Sequence, residues 1–138
     1  MVKSNGNKKI NTAIFISGRG SNFLNLAKFA KSKNSPIQII YVISDNVNSK
    51  GLNYAKKFNI KKKIFKFSKL KKEDDGIVVF LKKNRIKLIC LAGFMKVLSK
   101  NFINKFNGKI INIHPSLLPK YKGLNTHQRA IENKDKYS

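Results

Sequence analysis

TAIFISGRGSNFLNLAKFA, residues 12–30, reads as a strand, a glycine turn and a helix in immediate succession. Residues 12–17 are an apolar run of strand length, and Gly18-Arg19-Gly20-Ser21-Asn22 then turns the chain. Beyond the turn, Phe23, Leu24, Leu26, Ala27 and Ala30 fall on one helical face, with Lys28 and Lys31 on the other. An apolar run, a glycine-rich turn and an amphipathic helix in that order make a βα unit.

The same alternation continues along the chain. Pro36 precedes an expected strand over 37–43, and 49–58 reads as a helix with Leu52, Ala55 and Phe58 turned inward. A short third strand is expected over 63–67, and a helix over 73–84 whose inner face is Ile77, Phe80 and Leu81. Residues 86–91 are almost wholly apolar, the pattern of a strand covered on both faces. Ser99 is placed to cap a short helix ending at Phe106; 109–113 is a fifth strand and 126–133 a last helix. The expected fold is therefore α/β, a doubly wound and mostly parallel sheet with helices on both faces. In such sheets ligands bind beyond the carboxyl ends of the strands.

Composition narrows the class. A chain of 138 residues with 41% hydrophobic content fits one domain, with 1–11 as a flexible basic tail and 12–138 as the α/β domain. No apolar run approaches the roughly 20 residues of a membrane helix, and no signal-peptide core follows the polar start, so a cytoplasmic protein is expected. The single cysteine, Cys90, lies in the apolar run KLICLAG and reads as an inert core thiol. The net charge of +24 favours polyanions and phosphorylated ligands. Only Arg19, Arg85 and Arg129 are arginines, and the lysines are spread along the chain. That pattern reads as a solvated basic surface, so specific nucleic-acid binding is not expected. Two histidines, one cysteine and few acids supply no metal ligand set, so no metal is expected.

Three loops directly follow expected strands. The glycines of ISGRGSN allow close backbone approach, and the helix begun by Ser21 and Asn22 offers free N–H groups to an anion. The loop lacks the third glycine of GxGxxG and the GK[ST] of a P-loop, and by itself it is also an ordinary βα turn. LAGFMKVLS sets Phe94, Met95, Val97 and Leu98 at a strand end, as a core plug or as a slot for a flat heterocycle. In IINIHPSLLPKYKG, residues 110–123, Asn112 and His114 stand two apart on a strand and so share a face. An amide that steadies an oxyanion beside an imidazole that moves a proton suits acyl or formyl transfer. Pro115 and Pro119 stiffen the segment after this pair, and His127 reads as surface or substrate rim.

Together, ISGRGSN, LAGFMKVLS and NIHPSLLPKYKGLNTH resemble the phosphoribosylglycinamide formyltransferases, the folate-dependent family of purine synthesis, from about Thr12 onward. The resemblance implies a Rossmann-like formyltransferase fold. It implies that Gly20, Ser21 and Asn22 bind the phosphate of 5'-phosphoribosylglycinamide through backbone N–H groups. It implies that Met95, Lys96, Val97 and Leu98 line the site of the cosubstrate 10-formyltetrahydrofolate, with Lys96 where the family usually has Arg. Lys72 falls near a folate-contacting Arg of the family, and Asn112 also faces the folate. Asn112 and His114 match the catalytic pair.

The resemblance also implies that the family's C-terminal strands, and an Asp that pairs with the catalytic His, lie beyond Ser138. This chain alone is then expected to be an impaired catalyst, with an uncovered sheet open to self-association. Two readings compete. One is a sister enzyme, a methionyl-tRNA formyltransferase or a formyltetrahydrofolate deformylase. The other is a noncatalytic basic α/β domain that binds nucleic acid with steep salt dependence.

Overall fold

The computed structural model of the chain describes residues 8–68 and 70–113. His114, the proline-rich stretch after it and the expected helix over 126–133 lie outside the described residues. In order, the elements are β1 (Ile10–Ile16), α1 (Ser21–Ala30), β2 (Ile37–Ser44), a 3₁₀ turn (Lys50–Leu52), α2 (Asn53–Lys57), β3 (Lys61–Ile64), α3 (Lys71–Lys83), β4 (Leu88–Ala92), α4 (Lys100–Lys105) and β5 (Lys109–Ile113). The strands form one sheet in the order β3-β2-β1-β4-β5, and every adjacent pair is parallel.

The alternation of β1 explains the two-sided core. Phe15 joins Ile43, Ile77, Leu81, Ile89 and Phe102 on the face covered by α3 and α4. Its neighbours Ile14 and Ile16 join Phe23, Ala27, Val42, Leu52 and Cys90 on the face covered by α1 and α2. A strand buried on both faces is mostly apolar rather than alternating, and the buried Thr12 of β1 satisfies its hydroxyl by donating to Ile10 O. Phe15 anchors its face, with ring centroids 5.5 Å from Phe67, 5.3 Å from Phe94 and 6.3 Å from Phe102.

Several element boundaries differ from the sequence reading, each for a local reason. β1 opens at Ile10 rather than Thr12, because the Ile10 N–H donates to Pro36 O and Asn11 O accepts from Lys87 N–H. The expected helix over 49–58 divides into the 3₁₀ turn and α2, because the Gly51 N–H is drawn to Gly18 O at 2.9 Å. β3 starts two residues earlier than expected: Asn59, at φ 57°, ends α2, and the Ile60 N–H closes it on Ala55 O. Phe65 and Phe67 then leave the sheet and pack on the α3 face instead. β3 is an exposed edge carrying Lys61, Lys62 and Lys63, a charge pattern that discourages further strand pairing. β4 begins at Leu88 rather than Ile86, whose N–H closes α3 on Leu81 O. The fifth strand and the Ser99 cap, whose Oγ accepts from Phe102 N–H, match the sequence expectation.

Candidate functional site

The strand order reverses direction at the β1/β4 boundary: the chain steps outward from β1 through β2 to β3, then returns to the other side of β1 with β4. Crossovers leave that boundary in opposite directions, so a crevice opens beyond its carboxyl end. The loops after β1 and β4 line it. Gly18, Arg19, Gly20, Ser21, Asn22, Ala92 and Gly93 enclose a cavity of about 270 Å³.

The first loop is held by backbone. Gly18 O accepts from Gly51 N–H at 2.9 Å and from Ser49 Oγ at 2.6 Å. Gly20 takes φ 77° as N-cap of α1, with no side-chain cap. A Cβ on Gly20 would stand 2.5 Å from Gly51 Cα, so the position needs glycine twice over. The first bond inside α1 is Leu24 N–H to Gly20 O. The N–H groups of Ser21, Asn22 and Phe23 therefore precede the helical ladder at the positive end of the helix dipole.

The second loop is held at its two ends by carboxylate–serine pairs. Ser17 Oγ donates to Asp45 Oδ1 at 2.8 Å and accepts from Met95 N–H at 2.8 Å. At the far end, Ser99 donates to the buried Asp74 of α3. Asp75 then joins α3 to α4 through Lys105, at 3.1 Å, and Asn101. The Asn101 amide and the Lys105 ammonium hold the Asp75 carboxyl below its usual pKa.

Against this geometry the expected folate segment divides. Met95 and Val97 are 79% and 65% exposed and Lys96 is exposed, whereas Leu98 is 6% exposed within the core of the α3 face. The Leu98 side chain is thus part of the fold, and the Met95 N–H already serves Ser17. Lys72 is exposed in the first turn of α3. Asn112 is exposed near the end of β5, in register with Leu91 and, through it, with Phe15 of β1. That register places it two strands, about 10 Å, from β1. Cys90 is buried, which pushes its thiol pKa up to about 12 and removes it as a nucleophile.

Ser17, Asp45, Ser49 and Gly51 organise both loops without having been singled out in the sequence. The one available signal was that β1 and β2 both run out through Ile-Ser, as ISG and ISD, and that a glycine interrupts an expected helix at 51.

Residues 10–138 match the family model described as formyl transferase. The chain belongs to the formyl transferase family. Among curated relatives, a phosphoribosylglycinamide formyltransferase of Haemophilus influenzae is 46% identical over 131 residues, 93% of this chain and 61% of the relative. The human trifunctional purine biosynthetic protein adenosine-3 is 41% identical over 91% of this chain and 13% of its own length. Among solved structures, the phosphoribosylglycinamide formyltransferase of Brucella melitensis superposes with a TM-score of 0.74 at 40% identity, covering 91% of this chain and 67% of that one. The enzyme of the same name from Anaplasma phagocytophilum gives 0.71 at 40% identity, covering 91% and 59%. The chain thus spans about three fifths of the curated bacterial relative. The five-stranded parallel sheet is the family's Rossmann-like frame. Among the described residues no helix is long and apolar enough to cross a membrane.

Proposed function

We propose that this chain takes part in transfer of a formyl group from 10-formyltetrahydrofolate to the amine of 5'-phosphoribosylglycinamide, in a cytoplasmic setting. The observation that carries the reading is the pairing of an N–H-rich, glycine-locked loop after β1 with an exposed apolar loop after β4, across one strand boundary. The β1 loop suits the ribonucleotide phosphate, taken by the backbone of Gly20, Ser21 and Asn22. Met95, Lys96 and Val97 offer the exposed surface for the folate, with Lys72 toward its carboxylates. Leu98 supports that surface from beneath.

In the reaction, the ribonucleotide amine forms a bond to the formyl carbon, whose oxygen takes up negative charge. Asn112 donates a hydrogen bond to that oxygen. As the bond from carbon to the folate nitrogen breaks, that nitrogen gains a proton and the attacking amine loses one. His114 is assigned the proton transfer, the step for which an imidazole is suited near neutral pH.

The test is turnover of the purified chain with both substrates, followed by formation of the formylated ribonucleotide. Asn112→Ala is expected to lower kcat by about 10²–10³, the usual loss for one oxyanion donor, with unchanged circular dichroism. Near-normal turnover in that variant would remove the assigned role. A chain that neither turns over nor binds either substrate would remove the reading.

A further inference from the structure

A second concave surface lies at the opposite edge of the sheet. Lys8, Lys9, Ile10, Asn11, Gln38, Arg85 and Lys87 line an open groove of about 920 Å³ at the amino ends of β1, β2 and β4. Four of these residues are cations and none is an acid. The four acids among the described residues, Asp45, Glu73, Asp74 and Asp75, all lie after β2 or in the first turns of α3, whose Asp74 meets the loop beyond β4. Nothing anionic among the described residues therefore offsets the charge of the amino edge, and its field is one-signed.

Arg85 distinguishes this groove from the general basic surface. α2 and α3 end in the same way: a residue at φ 57°, followed by an N–H that closes on the carbonyl five residues back at 2.9 Å. At the end of α2 that residue is Asn59, a type that tolerates the left-handed region. At the end of α3 it is Arg85, a long side chain for which the same conformation is unfavourable. The chain holds arginine at only three positions. Both of those described, Arg19 and Arg85, line cavities, and Arg19 belongs to the loop already assigned to a phosphate. Arginine presents a planar fork that lysine lacks, and phosphate is the group that fork fits.

The rest of the groove is built on fixed backbone. The Lys87 N–H donates to Asn11 O and Lys87 O accepts from Lys109 N–H, which pins the residue between β1 and β5. On the floor, Gln38 Nε2 donates to Asn11 Oδ1 at 2.7 Å. That bond leaves Gln38 Oε1 as an acceptor and Asn11 Nδ2 as a donor, side by side. Lys9 Nζ reaches Ser32 O at 3.4 Å, a long contact that still leaves two of its protons for another acceptor.

We propose that this amino-edge groove is a second anion site, distinct from the crevice at the carboxyl edge, and that it takes a polyphosphate of nucleotide size. The volume lies within the range of small-molecule sites. Four cations match the charge of a di- or triphosphate, and the amide pair can meet a heterocycle edge. A polymeric nucleic acid fits less well, because the groove has a single arginine and no aromatic side chain in its lining.

The test titrates the full chain at about 0.15 M salt, where exposed long-range charge is screened, and tracks backbone amide NMR shifts. Tripolyphosphate and a nucleoside triphosphate are the probes, with Arg85→Gly and Lys87→Gln as variants. Glycine is the favoured residue at φ 57°, so Arg85→Gly is expected to melt no lower than the parent. Saturable shifts at 9–11, 38 and 85–87, weakened about tenfold or more by Arg85→Gly, support the site. Equal affinity for the two probes assigns recognition to the phosphates alone, and tighter nucleotide binding adds the amide pair. Shifts confined to 18–22, affinity unchanged in Arg85→Gly, or equal and variant-insensitive binding of an oligo-dT strand would each overturn it. These readouts do not depend on formyl transfer, so the two proposals fail separately.

Discussion

The loops after β1 and β4 face each other across one crevice but are built on different principles. The β1 loop is gripped at its own main chain, with Gly20 against the Gly51 backbone and both the Ser49 hydroxyl and the Gly51 N–H donating to Gly18 O. The β4 loop is fixed by side chains borrowed from three other elements, through Asp45, Ser17 and Asp74, while its own Met95 and Val97 stay exposed. A loop of the first kind holds N–H groups in place for an anion and tolerates little substitution. A loop of the second kind presents a replaceable surface on a rigid bracket. Under the function proposed above, the first would hold a small phosphate and the second a larger, mostly apolar group.

Substitution should separate the two principles, and Gly20→Ala is the harshest probe. It adds left-handed strain to a 2.5 Å clash with Gly51 backbone. The expected loss is about 4 kcal/mol, combining strain and overpacking, measured by urea unfolding. A loss under about 1 kcal/mol would mean that the Gly20–Gly51 approach does not lock the β1 loop.

Leu98→Ala comes next, at about 3 kcal/mol for a cavity in the α3 face. Met95→Ala and Val97→Ala, in the same loop, should stay within about 0.5 kcal/mol. Equal losses at all three positions would erase the division between bracket and surface.

Ser17→Ala removes the donor to Asp45 and the acceptor of Met95 N–H together, at an expected cost of about 1–2 kcal/mol. Hydrogen exchange should quicken at Met95 while the Gly51 amide, bonded to the other loop, keeps its protection.

The smallest effect is expected in acid. Asp75 is held below its usual pKa by Asn101 and Lys105, so its contribution to α3–α4 docking is present above the ordinary carboxylate range. It is lost as pH falls through the lowered folded value. Exchange at α4 amides should quicken there, while the Gly51 amide, which donates to Gly18 O of the β1 loop and has no titrating partner, should not respond. A simultaneous response of both loops would couple them.

Local patterns made much of this legible in sequence. ISGRGSN announced the βα unit, KIINI marked the fifth strand to the residue, and Ser99 was recognisable as a cap because capping depends on near neighbours. What stayed hidden depends on residues distant in the chain. Ser17 meets Met95 across 78 positions, and Gly51 meets Gly20 only once β2 has returned alongside β1. Leu98 looked like its exposed neighbours because an apolar run does not say which member turns inward. The early start of β3 was likewise decided by the left-handed Asn59 that ends α2, a turn that no periodicity records.

The lysines of β3 have a consequence for growth of the sheet. Lys61, Lys62 and Lys63 stand along the outer margin, and the Lys63 ammonium lies over the rings of Phe65 and Phe80 at 5.5 and 5.6 Å. Two copies approaching margin to margin there would set ammonium against ammonium before any main-chain bond could form. The molecule is fenced on that side, and a newcomer of like charge is turned away at the β3 border.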